Sequence, residues 1–400
     1  MINAIAPLLP LKTGIAVYSD KLYRHISKYI AIEILANKGS KSIYKTEKNM
    51  KIIESWDYNS YSSAIRLLGD ILKKRRPCIH LQLGYTWIKN PIFTIIASTL
   101  ILLLLKLVRH TRTVVTLHGL VLPETLRTYA LMLRKPFLST LYRILTGVYL
   151  IFYRILLKIS DKIIVHNRLI KNKLIEIVGK YGSEKVVIIP HGVDLEYVEG
   201  PKDDLENSEP LISLIGFIRK NKGIEEFLDA VEHVKKVTKK KFHVLIAGPL
   251  HIRDDPNYIS ELIRSVKEKN IDDIVSVKIG FHSESVLNEI LSKTSIIVLP
   301  YKDFFYEASG VLARIMSFNV ALVCTAIPKF LSEIKPGRDA IVVPTGNSRS
   351  LAKAIKILIE RAEIRKKLAK NLRKNAFSRS WHHVAMQHIR LYYKLLSKKK

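Results

Sequence analysis

The sequence predicts an α/β protein built from two doubly wound parallel sheets, and three observations predict it. Short apolar runs suited to buried strands alternate with longer segments of helical periodicity along nearly the whole chain. A polar, acidic stretch with two prolines at 196–210 interrupts this alternation. The same alternation then starts again, so the sequence predicts a second domain of similar size.

The first half of the chain is predicted to form a domain over 1–196. Its first strand, at 2–7, is followed by a loop at 8–14 and by helical periodicity over 15–35. The remaining predicted elements are strands at 78–83, 113–117, 162–165 and 186–189, and helices at 92–108 and 169–178.

The second half is predicted to form a domain over 210–375, with a last helix in the lysine-rich tail at 376–400. Its predicted strands lie at 211–215, 242–247, 275–279, 296–299, 321–324 and 340–343. Its predicted helices lie at 223–238, 257–269, 284–291, 310–317 and 329–334. Doubly wound sheets bind ligands at the carboxyl ends of their strands, so candidate residues are sought there.

Composition excludes several classes of protein. The 400 residues include 48% apolar residues, enough to bury real cores, so a disordered chain is excluded. Two cysteines, Cys78 and Cys324, cannot form a disulfide framework or a cysteine-rich zinc site, and their apolar surroundings predict that both are buried. The N-terminus lacks the basic region of a cleaved signal peptide. The chain also lacks the glycine-rich dinucleotide and P-loop motifs.

The net charge of +31 indicates an acidic partner: a nucleic acid, an anionic membrane surface or a phosphorylated substrate. Segment 71–160 contains 14 basic residues and a single acid, Glu124. The same segment is the most apolar part of the chain, and its aromatic residues lie in aliphatic runs instead of between basic residues. This pattern disfavours a nucleic-acid surface and favours a membrane.

Two apolar stretches in this segment predict unusual helices. Residues 92–105 carry no charge over 14 positions, short of the roughly 20 that span a bilayer, so a buried or surface-inserted helix is expected. At 136–160, helical geometry places Arg143, Arg154 and Lys158 on one narrow stripe beside a wide aliphatic and aromatic face. This pattern is typical of an interfacial membrane helix, and also of a core helix with snorkelling basic ends.

Four motifs in order resemble the large family four of retaining GT-B glycosyltransferases. They are PLKTGIAVYS at 10–19, IPHGVD at 189–194, GFIRKNKG at 216–223, and LPY at 299–301 with EASGVL at 307–312. The resemblance implies two Rossmann-like domains facing a cleft, with the C-terminal helix crossing back to the first domain. It also implies a hexosyltransferase that uses a nucleotide diphosphate sugar.

The resemblance implies catalytic roles for four residues. Arg219 and Lys222 would neutralise the diphosphate and stabilise charge on the leaving group without a metal, although both also suit a solvated turn. Glu307 would meet the hydroxyls of the sugar. His118, at the end of a strand, would approach the transferred sugar. The alternative interpretation is that His118 only packs against its neighbours or caps an element. The implied donor-binding set is Gly14, Gly216, Arg219, Lys222, Gly280, Glu307, Ser309, Gly310 and Val311.

Two positions depart from the family pattern. Phe217 stands where many relatives carry an arginine. Arg314 stands where the family commonly carries a second glutamate that binds the ribose. Because a guanidinium cannot accept a hydrogen bond from a hydroxyl, recognition of the nucleotide is expected to differ there.

The sequence therefore predicts a retaining enzyme that moves a hexose from a UDP- or GDP-sugar to a hydroxyl acceptor. The basic, apolar first domain suggests a lipid-linked sugar or glycolipid as acceptor and a peripheral position on the cytoplasmic face of a membrane. No metal, cofactor or nucleic-acid partner is expected, since His382, His383 and His388 lack acidic or cysteine partners for a metal. The alternatives are a nucleic-acid-binding protein and a nucleotide-sugar epimerase on the same fold.

Overall fold

The computed structural model describes residues 2–45, 47–73, 76–84, 91–108, 111–122, 138–179, 182–195, 209–250, 257–302 and 306–397, without the side chains of 91, 92, 107, 108, 138–143 and 145. The chain forms two compact units. Unit 1 comprises Met1–Gly192, Phe305–Ala308 and Trp381–Lys400, and unit 2 comprises Val193–Phe304 and Ser309–Ser380. The chain thus leaves unit 1 after Gly192 and returns to it for the last helix.

Unit 1 is built on a seven-stranded parallel sheet. Its strands are β1 (Ile2–Ile5), β2 (Ile32–Asn37), β3 (Met50–Trp56), β4 (Cys78–Leu83), β5 (Arg112–Leu117), β7 (Lys162–Val165) and β8 (Val186–Ile188), and β6 (Gly119–Leu120) lies outside the sheet. The order in space is β3-β2-β1-β4-β5-β7-β8. This order reverses between β1 and β4, the position at which doubly wound sheets bind ligands.

Helices connect these strands. Those of unit 1 that the structure describes before the last helix are α1 (Gly14–Ser27), α2 (Ser63–Lys73), α3 (Pro91–Leu103), α4 (Leu138–Ile159) and α5 (Arg168–Val178). Thr13 caps α1 by accepting from the N–H of Ala16, and Asn167 caps α5 by accepting from the N–H of Ile170. Both caps follow a strand, so they set the first turns of α1 and α5 at the carboxyl edge of the sheet.

The predicted helix at 15–35 is wrong beyond Ser27, because Ile32–Asn37 forms strand β2. All residues of β2 are buried between β1 and β3, and buried Glu33 is paired there with Arg76 at 3.1 Å. A strand buried on both faces has no alternation, so its apolar spacing also fits a helix. Strand β3 and helix α2 were not predicted either.

Unit 2 is built on a six-stranded parallel sheet in the order β11-β10-β9-β12-β14-β15. Its strands are β9 (Leu211–Ile215), β10 (His243–Gly248), β11 (Val275–Ile279), β12 (Ile296–Leu299), β14 (Ala321–Thr325) and β15 (Ile341–Val343). Its helices are α6 (Ile224–Val237), α7 (Asn257–Glu268), α8 (Glu284–Lys293), α9 (Gly310–Ile315), α10 (Pro328–Leu331), α11 (Ser348–Glu360) and α12 (Ala362–Phe377). The strand order reverses between β9 and β12, so the two predicted parallel sheets are confirmed.

A short antiparallel ribbon in unit 1 joins β6 to β13 (Tyr306–Glu307). Tyr306 pairs with Leu120 and Glu307 pairs with Gly119. Glu307 therefore lies in unit 1 and not, as the sequence analysis placed it, with the second domain. Main-chain pairing between segments so far apart in sequence leaves no local pattern from which it could be predicted.

The last helix, α13 (Trp381–Ser397), packs against α1 in unit 1. Trp381, Val384 and Tyr392 join the core that also contains Tyr18. The last helix was predicted over 376–400, but it begins only at Trp381, since the residues from 362 to 377 form α12 of unit 2.

The buried positions of Cys78 and Cys324 are confirmed, and burial raises the pKa of the Cys78 thiol to about 12.

Candidate functional site

The carboxyl edge of the unit 2 sheet places Lys222 beside an aromatic ring. The segments after the neighbouring strands β9 and β12 carry Lys222 and Tyr301, respectively. Lys222 Nζ lies 3.6 Å from the centroid of the Tyr301 ring, a distance typical of a cation–π contact. The ring therefore holds this ammonium at the point where the strand order reverses.

Glycines let the loops of this edge pack closely. Gly223 has φ +67°, and a Cβ there would lie 2.0 Å from the carbonyl oxygen of Pro300. Gly216 has φ +121°, and a Cβ there would lie 3.2 Å from Val311 Cγ2. Two residues of the predicted donor set, Gly216 and Val311, are thus neighbours. At Gly280, with φ +136°, a Cβ would meet no atom of the described chain within 4 Å.

The helix that follows Lys222 already carries acids at its N-terminus. Helix α6 begins two residues after Lys222, which ends a short 3₁₀ turn. Glu225 and Glu226 occupy the first turn of α6, and Lys302 Nζ lies 2.6 Å from Glu226 Oε1. Attraction for an anion at this edge therefore rests on the side chains of Arg219 and Lys222 more than on the helix dipole.

Ser309 anchors the start of α9. Its hydroxyl accepts from the N–H of Leu312 at 3.2 Å, and its main-chain N–H lies on the side of the Glu333 carboxylate, whose pKa it helps to lower. Glu333 is buried and accepts from Arg379 at 2.7 Å. Burial raises the pKa of Glu333, and Arg379 opposes that shift. These bonds fix the loop immediately before Gly310.

Arg314 forms a two-pronged ion pair with Glu284. Arg314 Nη1 lies 2.9 Å from Glu284 Oε2, and Nη2 lies 2.6 Å from Oε1. A carboxylate therefore stands beside position 314 although the residue itself is cationic. Sequence reasoning missed the pair because 30 residues separate its members.

The carboxyl edge of the unit 1 sheet carries a hydrogen-bonded row of four residues, the Gln82–Ile189 row. Gln82 in β4, His118 after β5, His166 after β7 and Ile189 after β8 belong to four adjacent strands. Gln82 Oε1 lies 2.8 Å from His118 Nε2. His166 Nε2 lies 3.1 Å from His118 Nδ1, and His166 Nδ1 lies 3.1 Å from Ile189 O. Both ring nitrogens of His118 are thus engaged, so a hydroxyl that binds this ring must displace Gln82.

Burial keeps the histidines of the row neutral. Burial is the main cause that holds the pKa of His118 well below its usual value, and His166 and His191 reinforce the shift. Burial likewise lowers the pKa of His166 to about 3. A neutral imidazole has one donor and one acceptor nitrogen, which constrains the direction of each bond in the row.

An aromatic cluster packs against the row. The ring centroid of Tyr18 in α1 lies 4.8 Å from His118, 5.1 Å from His166 and 5.1 Å from His191. Trp381 lies 5.2 Å from Tyr18, and a Cβ at Gly192 would lie 2.3 Å from the Trp381 ring. These rings pack next to Gly192, after which the chain leaves unit 1, and around Trp381, with which it enters the last helix of unit 1.

Unit 1 also brings together two predicted catalytic residues. Glu307 pairs through its main chain with Gly119, the residue that follows His118. Gly14 begins α1 after β1, and a Cβ there would meet no described atom within 4 Å. His118, Glu307 and Gly14 therefore belong to unit 1, whereas Arg219 and Lys222 belong to unit 2.

Sequence reasoning missed Gln82 and His166, and it quoted Tyr301 within the LPY motif without giving it a role. Each lies at the end of an apolar run: IHLQL before Gly84, KIIVH before Asn167, and IIVLPY before Lys302. Polar or aromatic residues at the carboxyl ends of such runs are the signal that could have found them.

Nearby acids offset part of the basic excess at 71–160. Asp161, just outside the segment, lies 3.1 Å from both Lys106 Nζ and Arg112 Nη1. Two further pairs are Lys73 with Asp70 at 2.6 Å and Arg76 with Glu33 at 3.1 Å. The ratio of 14 bases to one acid therefore overstates the positive charge of this surface.

The aromatic face of α4 points into the protein. Tyr149, Phe152 and Tyr153 lie in the core of unit 1, and α4 packs against α3. The two interpretations left open for this helix are thereby separated: its wide aromatic face serves the core and is not available to a membrane.

The outer surface of α3 and α4 nevertheless exposes aliphatic side chains, which we call the α3–α4 patch. Its most exposed members are Ile96 and Leu100, each 51% exposed, Ile144 at 61% and Ile151 at 58%. Arg154 and Lys158 are exposed on α4, and neither forms an ion pair with another described residue; the side chain of Arg143 lies outside the described residues. Across the portion of the chain that the structure describes, each helix is too short or too polar to cross a membrane.

Two of the tail histidines have hydrogen-bonding partners within unit 1. His382 Nδ1 lies 2.8 Å from Tyr29 Oη, and His388 Nδ1 donates to the carbonyl oxygen of Val384 at 2.8 Å. Within the described ranges, no group of three or more His, Cys, Asp or Glu residues is arranged to hold a metal ion.

Sequence comparisons match both halves of the chain. Residues 13–197 match the profile of Glycosyltransferase Family 4, and residues 200–375 match that of Glycosyl transferases group 1. The alpha-D-kanosaminyltransferase of Streptomyces kanamyceticus is 25% identical over 166 residues, which are 41% of this chain and 40% of that protein. The match thus spans less than half the length of this curated relative.

Structural comparisons extend over the whole chain. The sucrose-phosphate synthase of Thermosynechococcus elongatus matches with a TM-score of 0.77 at 16% identity, over 100% of this chain and 99% of its own. HepE of Anabaena, solved with UDP and glucose, matches with a TM-score of 0.73 at 12% identity, over 98% of this chain and 100% of its own. At such identities the likeness concerns the fold, and it confirms the predicted GT-B class.

Proposed function

The chain belongs to the group 1 glycosyltransferases, and we propose that it transfers a hexose from a nucleotide diphosphate sugar to a hydroxyl acceptor with retention of configuration. The observation that carries the proposal is the position of Lys222 at the carboxyl edge of the unit 2 sheet. There Tyr301 holds its ammonium at the switch point between β9 and β12. A fixed cation at this place suits a substrate whose leaving group is a diphosphate.

In this proposal unit 2 binds the nucleotide diphosphate. Arg219 and Lys222 stabilise the negative charge that develops as the bond between sugar and diphosphate breaks. No metal is needed for this step, so transfer is expected to continue in the presence of a chelator. Glu284, held by Arg314, supplies the carboxylate that the resemblance places on residue 314 itself, and it would accept hydrogen bonds from the ribose.

Unit 1 would supply the groups that meet the sugar. His118 and Glu307 are neighbours through the β6–β13 ribbon, and a sugar hydroxyl would compete with Gln82 for His118 Nε2. Gly14 and Gly280 leave space for close approach of a substrate to the main chain. The proposed donor contacts further include Gly216, Ser309, Gly310 and Val311.

Incubation with sugar nucleotides tests the proposal. The purified chain is expected to bind UDP or GDP and to hydrolyse or transfer the sugar of the matching nucleotide hexose when membrane lipid extract is added. Proton NMR of the released or transferred sugar is expected to show the anomeric configuration of the donor. UDP is tried first, because HepE was solved with UDP and glucose. Absence of turnover with every UDP- and GDP-hexose, together with salt-sensitive binding to DNA or RNA, would refute the enzyme assignment.

The acceptor is proposed to be carried by a membrane. The α3–α4 patch exposes Ile96, Leu100, Ile144 and Ile151, and α4 adds the exposed cations Arg154 and Lys158. Aliphatic side chains beside exposed cations suit the surface of an anionic bilayer. We therefore place the enzyme peripherally on the cytoplasmic face of a membrane, with a lipid-linked sugar or glycolipid as acceptor.

Vesicle flotation tests this surface. The wild-type chain is expected to float with vesicles of phosphatidylglycerol and phosphatidylcholine. R154E/K158E is expected to reduce the floating fraction severalfold, because each cation near an anionic surface contributes about 1 kcal/mol. The control is K366E/K370E on α12 of unit 2, which makes the same change of charge elsewhere. Equal flotation of the two double variants would contradict a specific role for the α3–α4 patch.

A further inference from the structure

The Ile189 end of the Gln82–Ile189 row determines which ring nitrogens of His166 and His118 carry a proton. Ile189 contributes a carbonyl oxygen, which can only accept, so His166 Nδ1 carries the proton of that 3.1 Å bond. Because the His166 ring is neutral, its Nε2 carries a lone pair. The partner of this lone pair is His118 Nδ1 at 3.1 Å, which must then be the protonated nitrogen of His118.

The same reasoning makes His118 Nε2 an acceptor. Gln82 faces this nitrogen at 2.8 Å and satisfies it when the amide is turned so that its N–H points to His118. The other end of the amide then accepts from Tyr23 Oη, 2.9 Å away. The Tyr23 proton can serve this bond, since the hydroxyl of Tyr392, 2.6 Å from His80 Nδ1, can donate to that nitrogen instead. Each bond of the row then has one donor and one acceptor.

Other placements of the protons in the Gln82–Ile189 row are unfavourable. If Gln82 Oε1 continues to face His118, then His118 Nδ1 and His166 Nε2 are two lone pairs 3.1 Å apart. An extra proton between the rings would remove this conflict only by creating an imidazolium, which burial at both rings disfavours. If His166 instead turns its lone pair to the carbonyl of Ile189, two acceptors face each other there.

We propose that His166 is a positioning residue that holds His118 with Nδ1 protonated, so that His118 Nε2 accepts a hydrogen bond from a hydroxyl of the transferred sugar. The identity of the ligand rests on the proposed glycosyl transfer, whereas the tautomer follows from the row alone. The incoming hydroxyl takes the place of the Gln82 amide and donates to Nε2. His118 thus orients the sugar as an acceptor and does not act as a general acid at neutral pH.

NMR of protein labelled with [15N]histidine tests the tautomer without a substrate. At pH 7.5 we expect a protonated Nδ1 and an unprotonated Nε2 for His118, whose signals are assigned by their loss in H118Q. H166L removes the acceptor, so the His118 proton is expected to move toward Nε2. H166Q is the matched control, because its amide can accept from His118 and donate to Ile189. A protonated Nε2 in the wild type, or an unchanged pattern in H166L, would overturn the proposal.

Hydrolysis of UDP-glucose, or of whichever UDP- or GDP-hexose the wild type turns over, tests the consequence. H166L is expected to lower kcat about ten- to a hundredfold, the cost typical of losing the partner that orients a metal-binding histidine. The Kd for the nucleotide should stay unchanged because its proposed site lies in unit 2, and H166Q should retain most of kcat. Equal losses in H166L and H166Q would refute positioning by an acceptor. A wild type without turnover would refute the proposed function while NMR still decides the tautomer.

Discussion

Lowering the pH from 7.5 to 5 is expected to remove a large part of the stability of unit 1. Burial lowers the pKa of four histidines there: to about 3 for His166, to about 4 for His388, and well below the usual value for His80 and His118. In the unfolded chain each histidine binds a proton near pH 6.5. The unfolded state therefore binds more protons below pH 6.5, and the free energy of unfolding falls as the pH falls.

The size of this effect follows from the difference in bound protons. His166 and His388 each contribute stability that is fully present above pH 6.5 and is lost at about 1.4 kcal/mol per pH unit below it, or about 2 kcal/mol by pH 5. The side chains bonded to or packed against the four histidine rings include Tyr18, Tyr23, Gln82, Thr116 and Tyr392, all of them neutral. Loss of two such contributions is already a large share of the stability of an ordinary domain.

Urea unfolding at pH 7.5, 6.5, 5.5 and 5.0 measures the dependence. All three tryptophans lie within the sequence of unit 1, so their fluorescence follows its unfolding. H166Q replaces one buried histidine by a group that does not titrate. The slope of the unfolding free energy against pH is therefore expected to fall by the amount that corresponds to about one bound proton. H383Q makes the same substitution at an exposed position of α13 and controls for the change of side chain itself. A slope that is the same in all three proteins would show that His166 does not couple folding to pH.

The fold was predictable where local pattern and tertiary environment agree. Central parallel strands are buried on both faces and appear as continuous apolar runs, so 211–215 and 296–299 were predicted at the bounds that β9 and β12 have. The same property misled the prediction at Ile32–Asn37, where a buried run follows helix α1 after a short turn. Without alternation, length and context alone separate strand from helix there.

The candidate site was predictable only in part, because its geometry depends on which strands are neighbours. The resemblance of GFIRKNKG to the family motif points to Lys222, but its contact with Tyr301 requires that β9 lie beside β12. The row through His118 and His166 likewise requires the order β4-β5-β7-β8, which no local pattern encodes. The charge count over 71–160 misled for a related reason, since Asp161 neutralises two of its cations from one residue outside.

K222M is expected to lower kcat for sugar transfer or donor hydrolysis by about a hundredfold or more. Methionine keeps the length and apolar stem of Lys222 but removes the charge that stabilises the leaving diphosphate, and loss of one such group typically costs 10²–10³ in kcat. The Kd for UDP is expected to rise as well, because the ground state already carries the diphosphate. Tyr301 keeps its packing in the variant, so the loss reflects the missing ammonium.

K220M is the matched control for this experiment. Lys220 lies in the same 3₁₀ turn, also faces an aromatic ring, with Nζ 5.5 Å from the centroid of Tyr258, and pairs with Glu261 at 3.6 Å. It therefore shares the charge, the turn and the type of aromatic contact of Lys222, but its ring lies on α7 and not at the switch point after β12. K220M should retain nearly full kcat and UDP affinity. Equal losses in both variants would mean that general positive charge at this turn, and not the ammonium held over Tyr301, attracts the diphosphate.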